Sequence, residues 1–188
     1  MGKSSTGKDT VFQCLLEDKE LGLRTVVPYT TRPIRAGEMQ GVEYFFTDEK
    51  EYQRLADAGK VIEERSYHTY YGLWRYFTVN DGNIDLQSGN YASIGTLEAY
   101  IRLCEFFGRA NVIPVLIEVE DGIRLRRALE REITQEHPGY EELCRRFLAD
   151  CEDFSEEKIE ESGIGRRFYN DDLERCLEEI KDYLMEVL

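Results

Sequence analysis

The chain has 188 residues, enough for one domain or a domain with a small lobe, and 41% hydrophobic content supports a real core. Its 24 basic and 38 acidic side chains give a formal charge of −14, which argues against a nucleic-acid surface and makes any local basic cluster more informative. No apolar run approaches the ~20 residues of a membrane span, no signal-peptide pattern opens the chain, and the scattered cysteines lack a CxxC, so a cytoplasmic chain with reduced thiols is expected. With only His68 and His137 as histidines, a zinc site is not expected.

The pattern predicts a first helix from Asp9 to Leu16 and a short strand over Arg24–Val27, stopped by Pro28. A loop follows from Tyr29 to Glu38, then a strand over Gly41–Phe46. Asp48 opens a helix to about Ala58, which Gly59 ends. Val61-Ile62 and Tyr67 to Tyr71 read as strands with Gly72 as a turn, and Asn80 to Gly89 as a turn-rich connection. A short strand starts at Tyr91, and a helix runs from Leu97 to Phe107. Val112–Ile117 is the most apolar run and reads as a buried parallel strand, with Pro114 the discordant residue. A basic helix spans Asp121–Arg131, His137-Pro138-Gly139 breaks it, and one long helix runs from Tyr140 to about Glu161. Arg167–Tyr169 is a last strand and Asp172–Leu188 a last helix. Strands alternating with helices predict an α/β fold with a parallel sheet. We read one domain over residues 1–188: a core of 1–28 and 91–188 and a β-richer lobe of 29–90.

The chemistry begins before the first helix. Gly2-Lys3-Ser4-Ser5-Thr6-Gly7-Lys8 reads G-x-x-x-x-G-K, a spacing that lets the backbone wrap an anion with its N–H groups inward. Lys8 reaches for the β- and γ-phosphates of a nucleotide, and the helix that follows turns its positive dipole end toward the same groups. The usual hydroxyl after the lysine, a magnesium ligand, is replaced by Asp9, with Thr10 next; both are candidates for the metal. Such a loop normally follows a buried central strand, and only Met1 precedes it here. The expectation is that roughly five to ten mostly apolar residues lie upstream of Met1 and that the sheet has a slot beneath the loop.

Further along, the residues resemble the guanylate kinase family. The resemblance rests on the phosphate loop, Thr30-Thr31-Arg32-x-x-Arg35-x-Gly37-Glu38, Gly41, Tyr44-Phe45, Ile62-Glu63, Tyr70-Tyr71-Gly72, the arginines of 127–146 and Asn170-Asp171-Asp172-Leu173. It covers nearly the whole chain in order. It implies a P-loop kinase fold in which the lobe of 29–90 binds the acceptor and a helical lid lies near 127–146, and phosphoryl transfer from ATP with Mg²⁺ to a small phosphorylated acceptor, GMP foremost. No nucleic-acid or membrane partner is implied, and a homo-oligomer is compatible.

The residue chemistry runs alongside. Arg32 and Arg35 are two guanidinium forks on one loop, suited to gripping a phosphate, and Tyr44 and Tyr71 add hydroxyl donors. By resemblance Glu38 belongs to the same acceptor set and Glu63 reads a guanine edge. Arg131 and Arg146 become lid arginines over the transferring group, where charge builds on equatorial oxygens. The loop residues Gly2, Ser4, Gly7, Lys8, Asp9 and Thr10 hold ATP, with Asn170 at the donor adenine. The plain alternative for each charge is a solvated surface, and for Asn170 a helix-cap position.

Three departures bear on the acceptor. Pro28 and Leu73 stand where the family carries serines near the base, and the acids expected near Ile94-Gly95-Thr96 are absent. Losing a donor to a buried base edge costs about 1–3 kcal/mol, so weaker guanine selectivity or another acceptor is expected. Lys8-Asp9, the Tyr29-to-Pro33 run and Gly95-Thr96 also resemble ribose 1,5-bisphosphate phosphokinase. A third possibility is a non-catalytic guanylate kinase-like binding module, although such modules have degraded phosphate loops.

Overall fold

Side-chain caps set most of the helix starts. Asp48 accepts the Glu51 N–H, Glu120 the Ile123 N–H, Ser155 the Lys158 N–H and Asp172 the Arg175 N–H, each satisfying an orphan donor of a first turn. The computed structural model describes residues 1–35, 37–69 and 72–188. The helices are α1 Lys8–Glu17, α2 Glu49–Asp57, α3 Leu97–Phe107, α4 Asp121–Ile133, α5 Tyr140–Asp153, α6 Glu156–Ser162 and α7 Leu173–Val187. The strands are β1 Arg24–Thr25, β2 Tyr29–Thr30, β3 Phe45–Phe46, β4 Val61–Thr69, β5 Gly72–Val79, β6 Tyr91–Ala92, β7 Leu116–Glu118 and β8 Arg167–Tyr169. Among the described residues no helix is long and apolar enough to cross a membrane.

The chain forms two compact units, the division running through α3. The first comprises Met1–Leu23, Ile94–Ile101 and Ile113–Leu188. Here β7 and β8 pair in parallel, Leu116 opposite Arg167. On the other edge of β7 the Met1 nitrogen donates to the Val115 carbonyl at 2.8 Å, and the Met1 carbonyl accepts from the Ile117 N–H at 3.0 Å. These two bonds are the repeat of a parallel ladder, so Met1 holds a strand position and delivers the chain into the phosphate loop. The core is Val11 and Leu15 of α1, Ile117, Phe168, and Cys176, Ile180 and Leu184 of α7. The last three are one turn apart and line one face of the helix.

The second unit comprises Arg24–Ser93 and Arg102–Val112. Its main sheet runs β3-β2-β5-β4, with β2 parallel to β3 and antiparallel to β5, and β4 antiparallel to β5. One face packs on α2 through Tyr52, Leu55, Phe77 and Val79. Strands β1 and β6 form a separate parallel pair.

Several elements differ from the sequence reading. The loop over 29–38 begins as a strand, because Tyr29 and Thr30 sit between β3 and β5. Gly41–Phe46 is turn for most of its length and strand only at Phe45–Phe46. The strand over 72–79 was not foreseen, and Gly72 begins it. Pro114 lacks an N–H for the ladder, so β7 starts only at Leu116. The long helix from Tyr140 is two helices. Phe154 leaves helical geometry (φ −117°, ψ 44°) and Ser155 restarts the chain as an N-cap.

Candidate active site

In the first unit the site is built around residues 2–10. Gly7 caps α1 with φ 80° and no side-chain hydrogen bond, leaving the first-turn N–H groups of the helix facing the loop. A Cβ on Gly7 would lie 2.4 Å from Asn170 Nδ2, and one on Gly2 2.3 Å from the Ile117 carbonyl oxygen. Both glycines are therefore fixed by close approach as well as by backbone angle. Ser5 adopts φ 64°, rare for a residue with a side chain, and its buried hydroxyl has no partner. Asn170, 4% exposed, donates from Nδ2 to the Thr6 carbonyl at 2.8 Å, and the Thr6 hydroxyl donates to the Lys3 carbonyl at 2.9 Å. The Asn170 amide thus braces the loop from beneath. Lys8 Nζ lies 3.8 Å from Asp9, whose carboxylate is exposed, as is Thr10.

Helices α4 and α5 bring two further residues to the loop that sequence reasoning missed. Arg124 is 1% exposed and donates to Asp121, to Asp150 at 3.3 Å and to the Ser4 carbonyl at 3.2 Å, with its guanidinium 4.4 Å from the centre of the Phe147 ring. Asp150 accepts the Ser4 N–H at 2.8 Å. A carboxylate therefore sits on a loop N–H of the kind an anionic ligand uses. Arg131 and Arg146, the expected lid arginines, line one cleft of about 130 Å³ together with Ser4, Ser5 and Asp150. Arg146 reaches the Ser4 hydroxyl at 3.3 Å. The only hint of Arg124 in the sequence is an acid one turn earlier on the same helix face, a pattern too common to single it out.

In the second unit the sheet face away from α2 carries the acceptor candidates. Val61 pairs with Val79 but Glu63 pairs with Thr78, so Ile62 is an extra residue, a bulge. Were Ile62 paired with Thr78, Glu63 would stand opposite Phe77 and face the core; with Ile62 bulged out of the ladder, Glu63 points to the other side. There its Oε1 accepts the Thr78 hydroxyl at 2.7 Å, and Arg65 Nε lies 3.5 Å from its Oε2. Leu73 pairs with His68 and falls on the Phe77 face, opposite to Glu63. The lost hydroxyl at 73 is therefore not beside the base-reading candidate in this register.

Arg32 is 3% exposed and donates two bonds to Glu38, at 2.8 and 3.0 Å, and one to the Pro33 carbonyl. Its guanidinium lies 5.4 Å from the Tyr44 ring centre and 5.6 Å from that of Phe46. This pairing holds the Glu38 carboxyl below the usual carboxylate range, helped by the Arg35 N–H, and burial pushes the Tyr44 hydroxyl up. Arg35 itself is exposed. Tyr71 lies outside the described residues.

A parallel sheet edge leading into a glycine-cradled anion loop at a helix start defines a P-loop phosphotransferase. A family model described as guanylate kinase matches residues 1–76. A guanylate kinase of Symbiobacterium thermophilum is 30% identical over 98% of this chain and 82% of its own. One from a Wolbachia of Brugia malayi is 31% identical over 96% and 87%. The crystal structure of guanylate kinase from Anaplasma phagocytophilum has the same fold, with a TM-score of 0.61, 24% identity and coverage of 98% and 82%. The chain belongs to the guanylate kinase family.

Proposed function

We infer that this chain transfers the γ-phosphoryl group of ATP to GMP, giving ADP and GDP. The observation that carries this reading is an intact G-x-x-x-x-G-K loop, held in an anion-cradling shape, in a chain similar to guanylate kinases from end to end. A binding module has no need to keep Lys8 and both glycines.

In this reading the Gly2–Gly7 loop, Ser4 and the start of α1 hold the donor phosphates, and Lys8 neutralises their charge. Arg131 and Arg146 approach the group in transfer from the lid side of the cleft. Arg35 offers its exposed guanidinium to the acceptor phosphate, with Tyr44 and Tyr71 as hydroxyl donors. Arg32, locked by Glu38, sets a fixed positive charge at the same loop. Glu63 accepts from the base. No covalent intermediate is needed, because positioning and charge stabilisation supply the rate. Among the described residues no cluster of three or more His, Cys, Asp or Glu could hold a metal ion. The oxygen donors Asp9 and Thr10 fit Mg²⁺ bound mainly through phosphates and water. Magnesium there would neutralise charge on the phosphate oxygens.

A coupled assay with GMP, dGMP, AMP, IMP and ribose 1,5-bisphosphate tests this directly. GMP turnover should lead, and Lys8→Met should lower it by at least about a hundredfold. Exclusive use of the ribose bisphosphate would make the chain a sugar-phosphate kinase. Nucleotide binding without turnover of any acceptor would make it a binding module.

A further inference from the structure

The face of β4 that carries Glu63 carries a second charged residue to which neither the motifs nor the family signature assigns a role. Arg65 is two residues on, so it shares that face, and it pairs with Tyr76 as Glu63 pairs with Thr78. Glu63 has a side-chain exposure of 5% and uses only one oxygen, Oε1, toward Thr78. Its Oε2 is buried with no hydrogen-bond partner, and Arg65 Nε is buried with none either. The two atoms are 3.5 Å apart, close enough for charge attraction but not aligned as donor and acceptor. An unfilled acceptor and an unfilled donor therefore sit side by side.

Such leftovers are rare in folded proteins and call for a ligand. The group that satisfies both is a planar edge with a carbonyl beside an N–H. Guanine and hypoxanthine present it as O6 and N1–H, while adenine presents the reverse order, an acceptor N1 beside a donor amine. Aromatic rings flank the position: Tyr44 and Tyr67 each meet Tyr76 edge-on, at 5.6 and 5.8 Å between centres. They are surfaces against which a flat base can rest.

We propose that Arg65 is a specificity-determining residue that donates to the 6-carbonyl of the acceptor purine while Glu63 accepts from N1–H. The inference rests on GMP being the acceptor. It supplies the base-directed donor that Pro28 and Leu73 lack, and so reverses the expectation of weak guanine selectivity.

The test compares kcat/KM for GMP, IMP and AMP in wild type, Arg65→Met and Arg65→Gln. Wild type is scored first: if it does not turn over GMP, the activity reading and this inference both fall. If it does, Arg65→Met should lower kcat/KM for GMP and IMP by about ten- to a hundredfold and leave AMP within about twofold. Arg65→Gln, which keeps an N–H donor, should recover part of the loss. ATP affinity and melting temperature report on folding in each variant. A merely structural role would lower GMP and AMP together, so an unchanged GMP/AMP ratio in Arg65→Met overturns the role of Arg65 while leaving the activity intact.

Discussion

Gly7 and Asp150 show how single residues set the phosphate loop. In Gly7→Ala the new Cβ meets Asn170 Nδ2 and the backbone is held at positive φ. The strain and the displaced Asn170–Thr6 bond together should cost about 2–4 kcal/mol. Denaturant melts should show that loss, and ATP titration should show no saturable binding. Asp150 competes with any phosphate for the Ser4 N–H. A bond to a carboxylate contributes about 1 kcal/mol more than one to a neutral amide, so Asp150→Asn should tighten ATP binding roughly fivefold. The same change leaves buried Arg124 with one carboxylate fewer, so the melting temperature should fall as affinity rises. A variant that melts lower without binding ATP better would show that Asp150 serves only Arg124. In the acceptor loop the pH dependence has a definite sign. The Glu38 pKa is lower folded than unfolded, because Arg32 holds the charged form. Its stabilisation is therefore complete above the ordinary value of 4.5 and lost as pH falls through the lower folded value. Acid unfolding followed by near-ultraviolet circular dichroism should show this component in wild type and lack it in Glu38→Gln.

At the scale of elements, the bulge at Ile62 decides what the acceptor face can read. Deleting Ile62 removes the extra residue and leaves Glu63 opposite Thr78 on its present face, whereas pairing Ile62 regularly would turn Glu63 toward Phe77 and the α2 core. Calorimetry should therefore find GMP still bound when Ile62 is deleted but lost in Glu63→Ala while ATP still binds, and GMP affinity retained in Glu63→Ala would mean that Glu63 does not contact the base. No sequence pattern announced this bulge. Val61-Ile62-Glu63-Glu64 alternates poorly, and the extra residue exists only relative to the facing strand, whose partner register is a tertiary fact. The same holds for the Phe154–Ser155 break, where helical periodicity runs on and only the serine cap interrupts it. By contrast α2 and α7 were legible, because Asp48 and Asp172 cap apolar stripes of helical spacing. The phosphate loop was legible because its shape is demanded locally by Gly2 and Gly7. Arg124, Asp150 and Arg65 were not, since one Arg or Asp on an amphipathic surface looks like any other until burial is known.

At the scale of the whole molecule, the phosphate loop is tied to the rest of its unit by distant chain. Met1 reaches Val115, Ser4 reaches Arg124 and Asp150, and Thr6 reaches Asn170, separations of 114, 120, 146 and 164 residues. The acceptor face is fastened at shorter range, Arg32 to Glu38 over 6 residues, Glu63 to Thr78 over 15 and Arg75 to Thr31 over 44. Closing a long loop costs more entropy than closing a short one, and slows the contacts that depend on it. The phosphate loop and the acceptor face should therefore mature at different times. Pulse-labelling hydrogen exchange during refolding should protect the Arg75 amide, bonded to Thr31, before those of Ser4 and Ile117. Simultaneous protection would mean that the loop and the face form in one cooperative step. On the ribosome the order is stricter still. Residues 2–7 wait, unfastened, until Asn170 has been made, so ATP has no completed loop to bind on the nascent chain until then.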